Sequence, residues 1–190
     1  MPQASDAVWY DYHSKTHNEK KHAGDNPMFG DNQNQIGLYA GWGTAGGSLE
    51  PDFWKFAPFG LALLSYSQPT TIFRLPGRQN FHIGSTIGWE EKYDEIWRDY
   101  SWPLVGLSWD VSLINFLRPV YAGTGLGTFI KWDKDIRQDS RFMFGFKLFI
   151  GYRMTDKFSM EIFTQHYSNG NLTPINGSYN FVGLAALVSF

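Results

Sequence analysis

Cysteine is absent from the chain, so neither a disulfide framework nor a thiolate metal site is available to it. No stretch of about 18 consecutive apolar residues occurs, which excludes a transmembrane helix. The formal net charge is only -2, which gives no reason to expect nucleic acid as a partner. The opening Met1-Pro2-Gln3-Ala4-Ser5 lacks the basic and apolar regions of a secretory leader. If the protein is exported, this chain is therefore expected to be the mature form with an added start methionine. A mean hydropathy of -0.33 argues against helical membrane spans but not against a barrel, whose strands are only half apolar.

Aromatic side chains and glycine, by contrast, are plentiful. Aromatics make up 18% of the chain and there are 20 glycines among its 190 residues. That pairing suits many short strands with aromatic girdles and a crowded interior, in one domain. The alternation is clearest near the C-terminus. Phe158, Met160, Ile162, Thr164, His166 and Ser168 share one face of a strand, because successive side chains point to opposite sides. A turn-rich stretch from Gly170 to Gly177 separates this run from another, with Asn180, Val182, Leu184, Ala186, Val188 and Phe190 on one face.

The same pattern recurs upstream. Gln35 to Thr44 sets Ile36, Leu38, Ala40 and Trp42 against glycines and Tyr39; Phe59 to Leu75 reads as a second strand, interrupted near Pro69 by the missing N–H. Pro76-Gly77-Arg78-Gln79 predicts a tight turn, and Glu90 to Ser101 a long charged loop. Between them Phe81, Ile83, Ile87 and Trp89 face outward while His82 faces in. Strand four places Val105, Leu107, Trp109 and Val111 outward, and strand five Val120, Ala122, Leu126 and Ile130. Lys131 to Ser140 is a charged loop; strand six follows, with Phe142 to Ile150 alternating outward and Arg141, Lys147 and Arg153 inward. Charges inside a barrel need partners, and Glu161 and Asp110 point the same way. Gly123-Thr124-Gly125-Leu126-Gly127-Thr128 is better explained by period-two glycines on a strand than by a nucleotide fingerprint, since it opens no helix.

The expected fold is all-β: an eight-stranded antiparallel transmembrane β-barrel over residues 35–190, preceded by a short polar N-terminal arm, residues 1–34. Short turns near Pro76, Asn115 and Asp156 alternate with long loops near Gly46, Asp94, Asp133 and Asn171, as in bacterial outer-membrane barrels. In the arm, His13 and His17 have helical i, i+4 spacing, but without a third ligand a solvated segment is the expected reading and no metal is assigned.

His166 and Ser168 fall at the outer end of strand seven, facing lipid. A hydroxyl needs a neighbouring base to act as a nucleophile, and residues two apart on one face bring Ser168 near His166. Asn180 on the adjacent strand has the phase to orient the histidine ring. Backbone N–H groups of Asn169, Gly170 and Asn171 are candidate oxyanion donors. Spacing alone leaves this reading level with one in which His166 and Ser168 are merely interfacial polar residues.

His166-Tyr167-Ser168-Asn169, followed by Leu172, Asn176 and a final aromatic strand, resembles the lipid A 3-O-deacylase family, the PagL-like outer-membrane esterases. The likeness extends upstream through Arg118-Pro119-Val120-Tyr121-Ala122-Gly123-Thr124-Gly125-Leu126-Gly127 and Phe142 to Tyr152. The resemblance implies a Ser-His-Glu triad on the outer surface of a barrel, with Ser168 as nucleophile, His166 as base and Asn169 in the oxyanion region. Asn176 matches a family asparagine in the same loop. Where the family places its glutamate, this chain has Asn180. The implied substrate is lipid A, or lipopolysaccharide, in the outer leaflet of the bacterial outer membrane, with no cofactor. Two other readings are a PagP-like palmitoyltransferase and an OmpA-type or OmpX-type structural or adhesive barrel.

Overall fold

The computed structural model describes residues 33–45, 55–93, 96–114 and 119–190, with backbone alone at 90–93 and 96–100. Eight strands form: β1 Gln35–Thr44, β2 Phe56–Ile72, β3 Leu75–Tyr93, β4 Ile96–Ile114, β5 Val120–Lys131, β6 Phe142–Arg153, β7 Phe158–Ser168 and β8 Tyr179–Ser189. Each pairs antiparallel with its neighbour in sequence, and β1 pairs with β8 to close the barrel. Closure leaves no sheet edge unpaired around the ring, which is the condition for strands to cross a bilayer.

The register fixes the stagger. The row of paired residues from Gly60 runs through Trp42, Val182, Thr164, Leu148, Thr124, Val111 and Gly77, and returns to β2 at Thr70, ten residues further along. Side chains alternate as expected. Leu38, Ile83, Leu126, Ile150, Ile162 and Leu184 are all more than half exposed, forming an apolar belt on the outside. Trp42, Trp89, Tyr152 and Phe190 edge that belt, where aromatic rings favour a membrane interface.

The inside is filled in two storeys. Toward the short-turn end, Arg78 donates from Nε to Asp110 Oδ2 at 2.8 Å and pairs through Nη1 with Glu161 Oε1 at 2.8 Å. Lys147 Nζ lies 2.5 Å from Asp110 Oδ2, and the Tyr121 hydroxyl donates to Glu161 Oε1 at 3.0 Å. Two cations face two carboxylates, and the side chains are almost wholly buried, so each charge is compensated where water cannot help. Glycine makes the space: a Cβ at Gly125 would lie 2.0 Å from Asp110 Oδ1, and one at Gly151 2.1 Å from the Tyr121 ring. Toward the long-loop end, Phe59, Trp102, Phe129, Tyr167, Tyr179 and Phe181 pack mostly edge to face, with Phe129 and Tyr167 ring centres 4.7 Å apart.

Several local expectations are corrected. Pro76 to Gln79 lie in β3; the turn is Phe73-Arg74, both with positive φ of 51° and 67°. Neither residue type signals that backbone, whereas Pro-Gly does. β2 runs through Pro69 without a register shift, because its residues beyond Ser67 pair only with β3 and so Pro69 sits on an edge. Residues 90–93 and 96–101 are strand, extending β3 and β4 through pairs such as Lys92↔Trp97. Arg141 is exposed and pairs with Asp133 at 3.5 Å, since β6 starts one residue later and frees it from the ladder. Arg153 binds the carbonyls of Thr155 and Asp156 at the turn instead of the interior charges. The N-terminal arm with His13 and His17, the loop near Gly46, and Asn115 to Arg118 lie outside the described residues.

Candidate active site

β7 carries His166 and Ser168 outward at its long-loop end, each half-buried, while Gln165 and Tyr167 between and beside them turn in. Directly across the ladder from His166 stands Asn180 of β8. His166 Nδ1 and Asn180 Oδ1 are 2.6 Å apart, and Asn180 Nδ2 is 3.4 Å from Ser178 Oγ. The amide therefore donates to the serine and accepts from the ring, which puts the ring proton on Nδ1 and leaves Nε2 as the basic nitrogen. Ser168 Oγ has no hydrogen bond to His166 or to any other described residue. Two residues along a strand span about 6.6 Å between Cα atoms, so the two side chains share a face without yet touching.

The loop after Ser168 is built from asparagines. Gly170 and Asn171 both have positive φ, 64° and 60°, and Leu172 N–H donates to Asn169 O at 3.2 Å, the pattern of a tight turn of the type I′ class. Only small or amide residues adopt that backbone readily, which explains Gly-Asn here. Asn169 is fully buried. Its N–H donates to Asn176 Oδ1 at 2.9 Å, and its Oδ1 accepts from Asn171 N–H at 2.8 Å. Asn176 Nδ2 in turn donates to Asn171 Oδ1 at 2.7 Å. Of the three backbone donors expected to face a substrate, those of Asn169 and Asn171 are thus spent within the loop. Gly170 N–H remains unengaged among the described residues.

The sequence reading missed what holds this loop. The connection between β5 and β6 folds against it: Gln138 bridges Asn176, Gly177 N–H donates to Arg137 O at 2.6 Å, and Arg137 Nη2 donates to Ser178 O at 2.8 Å. Arg137 also lies 5.1 Å from the Phe59 ring centre and 5.2 Å from that of Tyr179. Asp135 caps this connection, accepting from the N–H groups of Arg137 and Gln138 at 2.9 Å each and pairing with buried Lys131. A buried lysine at the last residue of β5 with an aspartate four residues later was the available signal. Beside Lys131, Asp133 sits in solvent with its carboxyl held below the usual range by the Lys134 N–H and by Arg141. No cluster of three or more potential metal-ligating side chains occurs among the described residues.

An eight-stranded closed barrel with an apolar outer belt, a charged and aromatic filling and a polar cluster at its rim defines an outer-membrane β-barrel protein. Residues 80–189 match the family model described as lipid A 3-O-deacylase (PagL), which covers more than half of the chain. The chain belongs to that family. Its fold is similar to that in the crystal structure of the outer membrane enzyme PagL, with a TM-score of 0.54 at 12% identity, covering 82% of this chain and 99% of that one. It is similar also to the crystal structure of Neisserial surface protein A (NspA), with a TM-score of 0.53 at 14% identity, covering 83% of this chain and 97% of that one. No curated protein sequence matches the chain.

Proposed function

We propose that the protein is an outer-membrane esterase that removes the 3-O-linked acyl chain of lipid A, with Ser168 as nucleophile and His166 as base. The observation that carries this reading is the His166–Asn180 hydrogen bond beside an unengaged, outward Ser168 at the rim of the apolar belt. Polar groups are costly to keep on a lipid-facing wall without use.

In the reaction, lipid A moves laterally against β7 and β8. Rotation of the Ser168 and His166 side chains brings Oγ to Nε2. Oγ attacks the ester carbonyl while Nε2 takes its proton, and the Gly170 N–H meets the negative charge that forms on the carbonyl oxygen. Collapse breaks the ester C–O bond; the imidazolium gives its proton to the departing sugar oxygen, which leaves as a hydroxyl with the acyl group on Ser168. Water from the headgroup region then gives a proton to His166 and attacks the acyl carbonyl; the bond to Ser168 Oγ breaks, the imidazolium returns its proton to Oγ, and the free hydroxy fatty acid leaves. Asn180 orients the ring throughout but, being neutral, adds no charge to stabilise the imidazolium.

A palmitoyltransferase that draws an acyl chain into the lumen needs a cavity there, whereas Arg78, Tyr39, Phe59, Phe129, Phe163 and Phe181 fill the interior. A structural or adhesive barrel is the other reading, favoured by the equally similar fold of the surface protein NspA. Mass spectrometry of lipid A separates all three, using cells that express the chain with an export signal beside the Ser168→Ala variant. Loss of one 3-hydroxyacyl mass in the wild type only supports the esterase. A gained palmitoyl mass, or no change with a folded barrel, overturns it.

A further inference from the structure

Asn180 sits close to the end of its ladder. The last cross-strand pair of β7 and β8 is Tyr167↔Tyr179, next to His166↔Asn180, and Ser178 already lies outside β8. Strand ends open at little cost in free energy, so a pair in that place needs a hold from outside the ladder. The demand is sharper for an amide. A carboxylate offers a histidine ring two equivalent oxygens, whereas Asn180 offers one, and a half-turn of its side chain would present Nδ2 instead.

That hold comes from the β5–β6 connection, through Arg137. Its Nη2 donates to Ser178 O at 2.8 Å, and its guanidinium lies 5.2 Å from the centre of the Tyr179 ring. Its own carbonyl accepts from Gly177 N–H at 2.6 Å. The three residues before Asn180 therefore all meet one arginine. The Tyr179 ring is fully buried, with Lys131 Nζ 5.7 Å from its centre and the Phe59 ring edge on to it. Asn180 Nδ2 closes the chain of contacts by donating to Ser178 Oγ. A planar, forked guanidinium lies over a ring and donates to a carbonyl beside it at the same time, which a compact ammonium does less well.

We propose that Arg137 is a positioning residue for the esterase site: by fixing Gly177, Ser178 and Tyr179 it keeps the Asn180 oxygen against His166 Nδ1, and so keeps Nε2 free to take the Ser168 proton. The inference rests on the esterase reading. A neutral imidazole carries one ring proton, and the partner of one nitrogen decides whether the other is basic. If Ser178 slackens, the Asn180 oxygen withdraws and the proton divides between Nδ1 and Nε2. The fraction of molecules with a basic Nε2 then falls. The lipid-facing wall beside Ser168 is untouched by this, so the effect lies on kcat and not on KM.

The test uses the full chain folded in detergent micelles, as wild type, Arg137→Gln and Arg137→Lys. Arg141→Ala is the control, since it removes only an exposed ion pair from the same connection. Two quantities are read: kcat and KM on lipid A, and the tautomer of His166 from ring-nitrogen NMR shifts, assigned by their loss in His166→Gln. The expected result for Arg137→Gln is a kcat lowered roughly tenfold, within what a small misplacement near the reacting groups causes. KM stays level, and the ring signal moves from the Nδ1–H toward the Nε2–H tautomer. Arg137→Lys is expected to recover part of both, and Arg141→Ala to match the wild type. Should Arg137→Gln fail to fold, Arg137→Lys, which keeps the charge, is read in its place for the same changes to a smaller degree. An unchanged tautomer or kcat in the folded Arg137 variants, or equal losses in Arg141→Ala, overturns the positioning role while hydrolysis by the wild type keeps the esterase reading. A wild type that hydrolyses no lipid A overturns the esterase reading, and this role with it, whatever the ring signals show.

Discussion

His166 and Asn180 face each other across the β7–β8 ladder, and the ring Nδ1–H points at an amide oxygen 2.6 Å away. A hydrogen bond to a charged acceptor is worth about 1 kcal/mol more than one to a neutral acceptor. Replacing the amide by the isosteric acid, Asn180→Asp, is therefore expected to raise kcat on lipid A roughly fivefold, since about 1.4 kcal/mol is a factor of ten in rate. Asn180→Ala is expected to lower it by a similar factor. Deacylation time courses on the purified proteins in vesicles check both; an alanine variant as fast as the wild type would sink the orienting role.

Asn176 ties the Gly170 turn through two hydrogen bonds, to Asn169 N–H and to Asn171 Oδ1. Asn176→Ala frees the turn and with it the Gly170 N–H. The expected outcome is a fall in kcat of roughly 10²-fold, the cost of losing one oxyanion donor, with KM little altered. The same kinetics alongside a gel-shift assay of barrel folding distinguish a displaced turn from a misfolded chain.

Arg78 neutralises both Asp110 and Glu161 in the lower storey. Arg78→Met leaves Glu161 without its cation and Asp110 with Lys147 alone, at an expected cost of about 3–5 kcal/mol. Urea titration of the folded barrel in vesicles measures it. Activity per folded molecule should stay at the wild-type level, because the cluster sits toward the opposite end of the barrel from Ser168.

Asp135 joins Lys131 to the β5–β6 connection. In Asp135→Ala the buried ammonium keeps one hydrogen bond among the described residues, to the Gln138 carbonyl at 3.2 Å, beside the rings of Trp102 and Tyr179. Limited proteolysis of intact vesicles is expected to cut between residues 132 and 141 faster than in the wild type while the strands resist. Equal cleavage rates would show that the connection is held by its bridge to Asn176 instead.

The barrel was legible because a period of two is imposed at every membrane-facing position: Ile36 to Trp42 and Phe158 to Ser168 each declare their outer face without help from tertiary structure. The Phe73-Arg74 turn was not legible, since its positive φ values are set by closing a two-residue hairpin between β2 and β3, and Pro76-Gly77 nearby carries a stronger local signal. That shift of four residues hid Arg78, the centre of the buried charge cluster, although Glu161, Asp110 and Lys147 were already assigned to the interior. At the rim, phase alone set Asn180 beside His166. The spending of two backbone donors inside the asparagine loop depends on side-chain geometry that alternation does not encode, and so does the bridge from Gln138 to Asn176.

The outward position of His166 and Ser168 changes what concentration means for this protein. With its interior filled, the barrel is met by lipid along its wall, so encounters occur in a plane and their rate follows molecules per unit area of leaflet. Packing the outer leaflet more tightly would slow arrival without touching a single bond at the site, making the order of the surrounding lipid a throttle on turnover.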